Sequence, residues 1–512
     1  MKKYKLHILT VFFSIILLTL LSFGASAEDA PTEDYLTKTV DYVEYHLYET
    51  NGEKVAVAYK FVGNKEVTEL NILSEVDGYK VKSVDEELNN NVDLSNITVV
   101  NIGENIETLD EIISSIKMTS LKKVNLPASI TKIGNYDFYG YKNLEEINLE
   151  NIQHIGLRAF MGCTNLKSVN FSEKLESIAV SAFEESGLET VTIPSRAELS
   201  YSPEIESSGA QFRKCKNLKT VVFEDRANEN KNFFIDTAAF AVCTSLEKIV
   251  LPKNVEKIVV CHGAFLNCEN LKSFDFSNVI SIYDMAFENC KNLTKVNFSD
   301  ELEVIGCHAF AGTGIKTVTI PSKTELDCEL SADGDHMDDM FPYEDWDGQF
   351  RDCKNLKTVV FEDKEKSKLY IPYYTFTNCT SLKKVYLPED IKITIGMRAF
   401  KNCTSLTKVY GSENIVEIGD AAFSYCKSLK EITLGKNLKT VGEKAFLGCT
   451  KLARINLEST KAAPTFGRKA FSATADGIKF VADKAIAKKV KTNLKNTATK
   501  NAKVYSVSYS KV

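Results

Sequence analysis

One pattern recurs down the whole chain and limits what it can fold into. Phe138, Phe160, Phe183, Phe212, Phe240, Phe265, Phe287, Phe310, Phe350, Phe376, Phe400, Phe423, Phe446 and Phe471 stand mostly in the setting x-Ala-Phe, usually with Cys three residues later. Most spacings are 22–26 residues, and the long ones, 183–212, 212–240 and 310–350, mark insertions. Aligned on Phe, a unit reads A-F-x-x-C-x-x-L-x-x-V-x-L-P-x-x-[VI]-x-x-I-G, as in AFMGCTNLKSVNF from Ala159 and AFKNCTSLTKVY from Ala399. Val124-Asn125-Leu126 and Ile147-Asn148-Leu149 alternate apolar and polar, which predicts a short strand with one buried face. Ile133-Gly134, Ile155-Gly156 and Ile418-Gly419 predict a turn. So short a unit cannot close a core alone, but stacked units bury a continuous one. About fourteen coils at ~4.8 Å per parallel-strand step predict a rod roughly 65–70 Å long.

The unit resembles the leucine-rich repeat of the BspA-like type found in bacterial surface proteins, over residues 43–510. It departs from the commoner leucine-rich pattern in a second apolar pair, V-x-x-I, between the strand and the A-F. The resemblance implies an α/β-type repeat solenoid: a curved, right-handed coil array with a parallel β-sheet on one face, otherwise mostly β and irregular structure. It also implies a secreted protein that binds other macromolecules.

The ends fit a capped array. YHLYETNGEKVAVAYKF (45–61) predicts a hairpin turning at Asn51-Gly52, and ILSEVDGYKVKSV (72–84) resembles a degenerate first repeat. DKAIAKKVKTNLKNTATKNAKVYSV predicts a basic helix and then a strand, a terminal cap. The chain therefore divides into a signal peptide (1–27), a flexible segment (28–42), an N-terminal cap with a degenerate repeat (43–96), the solenoid (97–475) and a C-terminal cap (476–512).

MKKYK, the apolar run LHILTVFFSIILLTLLSFG and Ala25-Ser26-Ala27 carry the marks of a signal peptide cleaved after Ala27. No second apolar stretch is long enough to span a bilayer, so the mature chain is expected outside the cell or on its surface. The formal charge is −6, and removing Lys2, Lys3 and Lys5 takes it to −9. This gives no general attraction to nucleic acid.

Ten of the 13 cysteines occupy one repeat slot: Cys163, Cys215, Cys243, Cys268, Cys290, Cys353, Cys379, Cys403, Cys426 and Cys449. Tyr141, Ser186 and Thr313 fill the same slot elsewhere. A slot that takes Cys, Ser and Thr is a small buried column, so free thiols are expected over a disulfide ladder. No C-x-x-C occurs, which removes the zinc-ribbon and redox motifs.

No catalytic constellation emerges. The six histidines form no H-E-x-x-H, and no G-x-S-x-G, P-loop or dinucleotide fingerprint is present. Cys261-His262 and Cys307-His308 suggest a thiol–imidazole pair, but neighbours in sequence rarely face each other.

The long insertion at 327–349, DCELSADGDHMDDMFPYEDWDGQ, holds nine acidic residues and the only Trp. Calcium binding and partner contact are both open for it, and Tyr343 and Trp346 are its candidate contact residues. The outward residue of each strand is mostly polar (Asn125, Asn148, Asn170), but Val360, Tyr386 and Tyr410 are consecutive and predict an exposed apolar–aromatic stripe. A duplication shows as well: AQFRKCKNLKTVVFED (210–225) returns as GQFRDCKNLKTVVFED (348–363). The copies differ chiefly in the insertion ahead of each.

The expectation is a secreted binding or adhesion protein, without catalysis or a cofactor, facing a protein or glycan on host or bacterial surfaces. A structural cell-surface component and a secreted hydrolase are the alternatives.

Overall fold

The computed structural model describes residues 35–89, 92–109, 113, 118–199, 209–226, 232–326, 348–363, 368–458, 462–497 and 499–507. The signal segment and residues 327–347 of the acidic insertion lie outside them.

Each coil contributes to two parallel ladders. The first is built from the V-x-L segments: Glu69–Ile72, Val99–Ile102, Lys123–Asn125 and Glu146–Ile147 form one stretch, and Thr317–Ile320, Thr358–Phe361, Lys384–Tyr386 and Lys408–Tyr410 another. Registers are one to one, so that Thr319, Val360, Tyr386 and Tyr410 align across four strands. Val359, Val385 and Val409 point the other way, into the core.

The second ladder corrects the expectation of a turn at Ile-Gly. Lys132–Ile133, His154–Ile155, Ser177–Ile178 and Glu198–Leu199 are short parallel strands, as are Lys368–Ile371, Lys392–Ile395, Ile415–Ile418, Thr440–Val441 and Thr465–Phe466. The β-branched Ile joins this ladder, and the Gly after it serves a different end. A Cβ on Gly156 would lie 2.6 Å from the Gly134 carbonyl carbon, and one on Gly442 2.7 Å from that of Gly419. Glycine here lets one coil's backbone lie against the next. The second ladder breaks after Glu198–Leu199 and again after Glu325–Leu326, the points where the insertions begin.

The A-F segment forms the remaining side of the coil without helix. Phe160 N–H donates to the Ala182 carbonyl and Phe400 N–H to that of Ala422, each one coil onward. Two left-handed residues frame the turn, for example Arg158 (φ 50°) with Gly162 (φ 78°), and Arg398 (φ 58°) with Asn402 (φ 61°). Gly and Asn recur at the second position because they tolerate this region. The turn aims every Phe inward. All fourteen rings stack on their neighbours in one file from Phe138 to Phe471, with centroids 5.0–5.6 Å apart.

Both ends are closed. Val43–Thr50 and Glu53–Phe61 form the expected hairpin through Asn51 (φ 52°) and Gly52 (φ 80°). The segment 28–42 is not flexible throughout: Leu36–Val40 pairs antiparallel with Val43–Thr50, turning through left-handed Asp41 and Tyr42. Its alternation of β-branched and long side chains suits an edge strand. At the other end the helix Ala487–Asn493 buries Val490, and Lys503–Val507 pairs with Lys479–Asp483. Among the described residues no helix is long and apolar enough to cross a membrane.

Candidate functional site on the first ladder

The outer face of the first ladder gathers the residues singled out from sequence. Tyr386 and Tyr410 are register partners, and their rings stack at 4.5 Å with planes 3° apart. Val360 is the register partner of Tyr386 on its other side. Adjacent strands impose the contact, because each Tyr is the outward residue of a Lys-Val-Tyr strand whose Val is buried. The stripe is less open than expected: Tyr410 is 38% exposed, while Val360 and Tyr386 are half-buried. Face-to-face stacking hides one face of each ring and leaves edges and hydroxyls to solvent. Lys384 and Lys408 lie two residues earlier on the same outward side, and the Lys408 ammonium sits 5.6 Å from the Tyr410 ring centre. Tyr343, Trp346 and the proposed calcium loop lie outside the described residues. Among the described residues no group of three or more His, Cys, Asp or Glu is placed to hold a metal.

The same face is polar further toward the N-terminus. Asn125 Nδ2 donates to Asn101 Oδ1 (2.6 Å), and Asn101 Nδ2 to Asn71 Oδ1 (2.7 Å). Beyond them a shallow cavity of about 260 Å³ opens beside Glu146, Asn148 and Asn170. There the ladder thins to the single bridge Leu149–Phe171, and the Asn148 amide bonds both the N–H and the carbonyl of Leu126.

The thiols are placed for structure. All ten column cysteines are free and buried, and Cys261 is free and half-buried. Cys307, outside the column, is held in a disulfide, so the expectation of free thiols holds for the column but not for this residue. Burial pushes the thiols of Cys163, Cys268, Cys290 and Cys403 well up from their ordinary range. Burial, and then the nearby Asp236 carboxylate, push Cys261 up to about 12. His262 lies with Nδ1 3.7 Å from Asp284 Oδ2 and stacks on Tyr283. His308 Nδ1 is 3.7 Å from Glu288 Oε2. Neither Cys-His pair is an activated thiol, because a thiolate is what attacks.

Sequence reasoning missed the outward aromatics of the second ladder. Phe234 (56% exposed) and Tyr370 (46%) occupy the same position in the two duplicated blocks, on the strands Asn232–Ile235 and Lys368–Ile371. The alternation in NFFI and KLYI was the available signal. Four residues are a short run for such an alternation to stand out, and neither segment belongs to the V-x-L strand of the repeat.

The model of the BspA type leucine-rich repeat region matches residues 89–202, 204–328 and 347–481, well over half of the chain. The chain belongs to this family. Its BspA-type repeats cover the coils that build both ladders and the Phe file. Among solved structures, a leucine-rich repeat protein from Bacteroides ovatus is 22% identical with a TM-score of 0.53, over 92% of this chain and 99% of that one. A leucine-rich cell surface protein from Faecalibacterium prausnitzii is 17% identical (TM-score 0.25; 94% and 97% covered). A leucine-rich repeat protein from Eubacterium ventriosum is 15% identical (TM-score 0.30; 86% and 96%). The first supports the fold of this BspA-type chain, and the other two carry no argument at those scores. No curated protein matches the chain.

Proposed function

We propose that this chain is a secreted or surface-exposed binding protein of adhesive type, which presents the outer face of its first ladder to a protein or glycan partner and performs no catalysis. The carrying observation is the contiguous Val360–Tyr386–Tyr410 stripe flanked by Lys384 and Lys408. Tyrosine is a favoured anchor because it combines apolar area with a polar tip at low entropic cost. The raised thiols and the absence of an activated Cys-His pair support a non-catalytic reading. The N-terminal signal segment supports export.

Capture on host-matrix or bacterial-surface extracts tests the reading. Retention of the wild type, lost in Tyr386→Ala/Tyr410→Ala, is the expected result, and equal retention of the two would remove the stripe from the account. The reading extends to Tyr343 and Trp346 and to calcium at the acidic insertion. Deleting residues 329–346 should weaken capture, and calcium should change the fluorescence of Trp346, the only Trp. A structural surface component would instead self-assemble on concentration. A hydrolase would turn over a glycan or peptide panel.

A further inference from the structure

One margin of the first ladder changes its charge pattern half-way along the solenoid. The residue after the buried Leu of each coil, Ile315 in one of them, forms a row, joined by backbone bonds such as Glu145 N–H to the Lys122 carbonyl, Glu247 to Lys219 and Lys383 to Lys357. From position 122 to 272 the row alternates in sign: Lys122, Glu145, Lys167, Glu189, Lys219, Glu247, Lys272. Ion pairs link neighbours, Lys122–Glu145 at 3.5 Å and Lys219–Glu189 at 3.2 Å, and Lys272 pairs with Glu247. After Thr294 the row reads Lys316, Lys357, Lys383, Thr407, Lys430, with no acid in it. These four lysines are exposed and make no ion pair among the described residues. Beside them Lys384 and Lys408 face outward, and only Lys408 has an acid near, Glu431 at 3.8 Å. Of the acids in these coils, Glu362, Asp363, Glu389, Asp390 and Glu413 follow the strands at the opposite end, and Glu431 stands at the strand start beside Lys430.

We infer that this lysine margin, together with Tyr386 and Tyr410, binds a linear acidic polysaccharide. The inference rests on the binding reading above and names the partner's chemistry. A like-charged row repels itself, whereas the paired half does not, so an anion laid along the row relieves a cost that the other half never carries. The positions repeat once per coil, about 4.8 Å. An acidic peptide in extended form presents same-face side chains every second residue, roughly 6.6 Å apart, out of step with the row. Single-stranded nucleic acid binds by stacking bases on open aromatic faces, but Tyr386 and Tyr410 each have one face taken by the other and offer edges and hydroxyls to solvent. An acidic polysaccharide with a charge on each ring repeats at a length close to one coil, and its hydroxyls match the tyrosine tips. Lysine suits such a ligand, since a point charge on a flexible stem asks for no fixed fork geometry.

The test uses the mature chain on immobilised dextran sulfate and polygalacturonate, with neutral dextran and poly-L-glutamate as comparators. Both acidic polysaccharides should bind, neutral dextran should not, and affinity should fall as salt is raised through the range where the screening length is about 8 Å. Lys357→Glu/Lys383→Glu should lower affinity about tenfold or more, and Lys357→Gln/Lys383→Gln should lower it less. Lys122→Glu/Lys219→Glu, in the alternating half, should stay within about twofold of wild type. Three results would overturn the inference: no binding to either acidic polysaccharide at low salt, an equal loss from the alternating-half variant, or poly-L-glutamate binding as tightly. If polysaccharide binding is absent while Tyr386-dependent capture persists, this inference falls and the binding reading stands. Loss of both removes both.

Discussion

The Cys268 thiol donates to the Phe240 carbonyl, 3.1 Å away and one coil earlier. All ten column cysteines repeat the contact, among them Cys163 to Phe138 (3.1 Å), Cys403 to Phe376 (3.2 Å) and Cys449 to Phe423 (3.0 Å). The thiol thus satisfies a buried carbonyl at the A-F turn while filling a small apolar space. Cys268→Ala should cost about 1–2 kcal/mol in urea unfolding, from lost volume and an orphaned acceptor. Cys268→Ser should cost less, because Ser186 and Thr313 already occupy this column and reach the next thiol at 3.2 Å.

These thiols also set an alkaline limit. Folded Cys163, Cys268, Cys290 and Cys403 are pushed above the ordinary value of 9.0 by burial. Above that value the unfolded chain loses protons that the folded chain keeps. Stability contributed by these groups is therefore complete below about pH 9 and declines as pH rises, by about 1.4 kcal/mol per pH unit for each such thiol. Urea midpoints measured from pH 7 to pH 10 should fall only in the upper part of the range. A Cys268→Ser/Cys403→Ser variant should fall less steeply.

Val242 occupies the second left-handed position of its turn at φ 62°, where Gly162, Gly312 and Gly448 or Asn289 and Asn402 stand in other coils. A β-branched residue is strained there by about 1–2 kcal/mol. Val242→Asn should raise stability by about 1 kcal/mol, read as a higher melting temperature with the fold unchanged.

The Phe file joins the coils mechanically. Phe265 stacks on Phe240 at 5.6 Å and on Phe287 at 5.3 Å. Phe265→Ala should cost about 3–5 kcal/mol. In an array where each coil contacts its neighbours, the damage should also split one unfolding transition into two. Calorimetry distinguishes that outcome from a single shifted transition.

The solenoid was legible in the sequence because its repeating residues are those that face inward: Phe, Leu, Val and Cys fix the period and the buried side of the first ladder. The second ladder was not, since Lys132-Ile133 or His154-Ile155 is too short to show an alternation, and the following Gly reads locally as a turn. Only the neighbouring coil reveals that Gly156 is needed for close approach. The outward positions of Val360, Tyr386 and Tyr410 followed from strand alternation. The ring stacking depends on a one-to-one register that the sequence does not display. The change from an alternating to an all-lysine margin was written in the sequence, but it became visible only once hydrogen bonds had aligned one coil with the next.

The most direct measurement compares captured partner affinity for Tyr386→Ala/Tyr410→Ala with that for Val222→Ala/Val250→Ala. Val222 and Val250 are register partners on the first copy's strands Thr220–Phe223 and Lys248–Val250, at the positions that match Val360 and Tyr386. The tyrosine variant should lose about tenfold or more, and the valine variant should stay near wild type, with both melting as folded proteins. Equal affinity for the two variants, or a larger loss from the valine pair, would contradict the placement of the binding surface on the second copy.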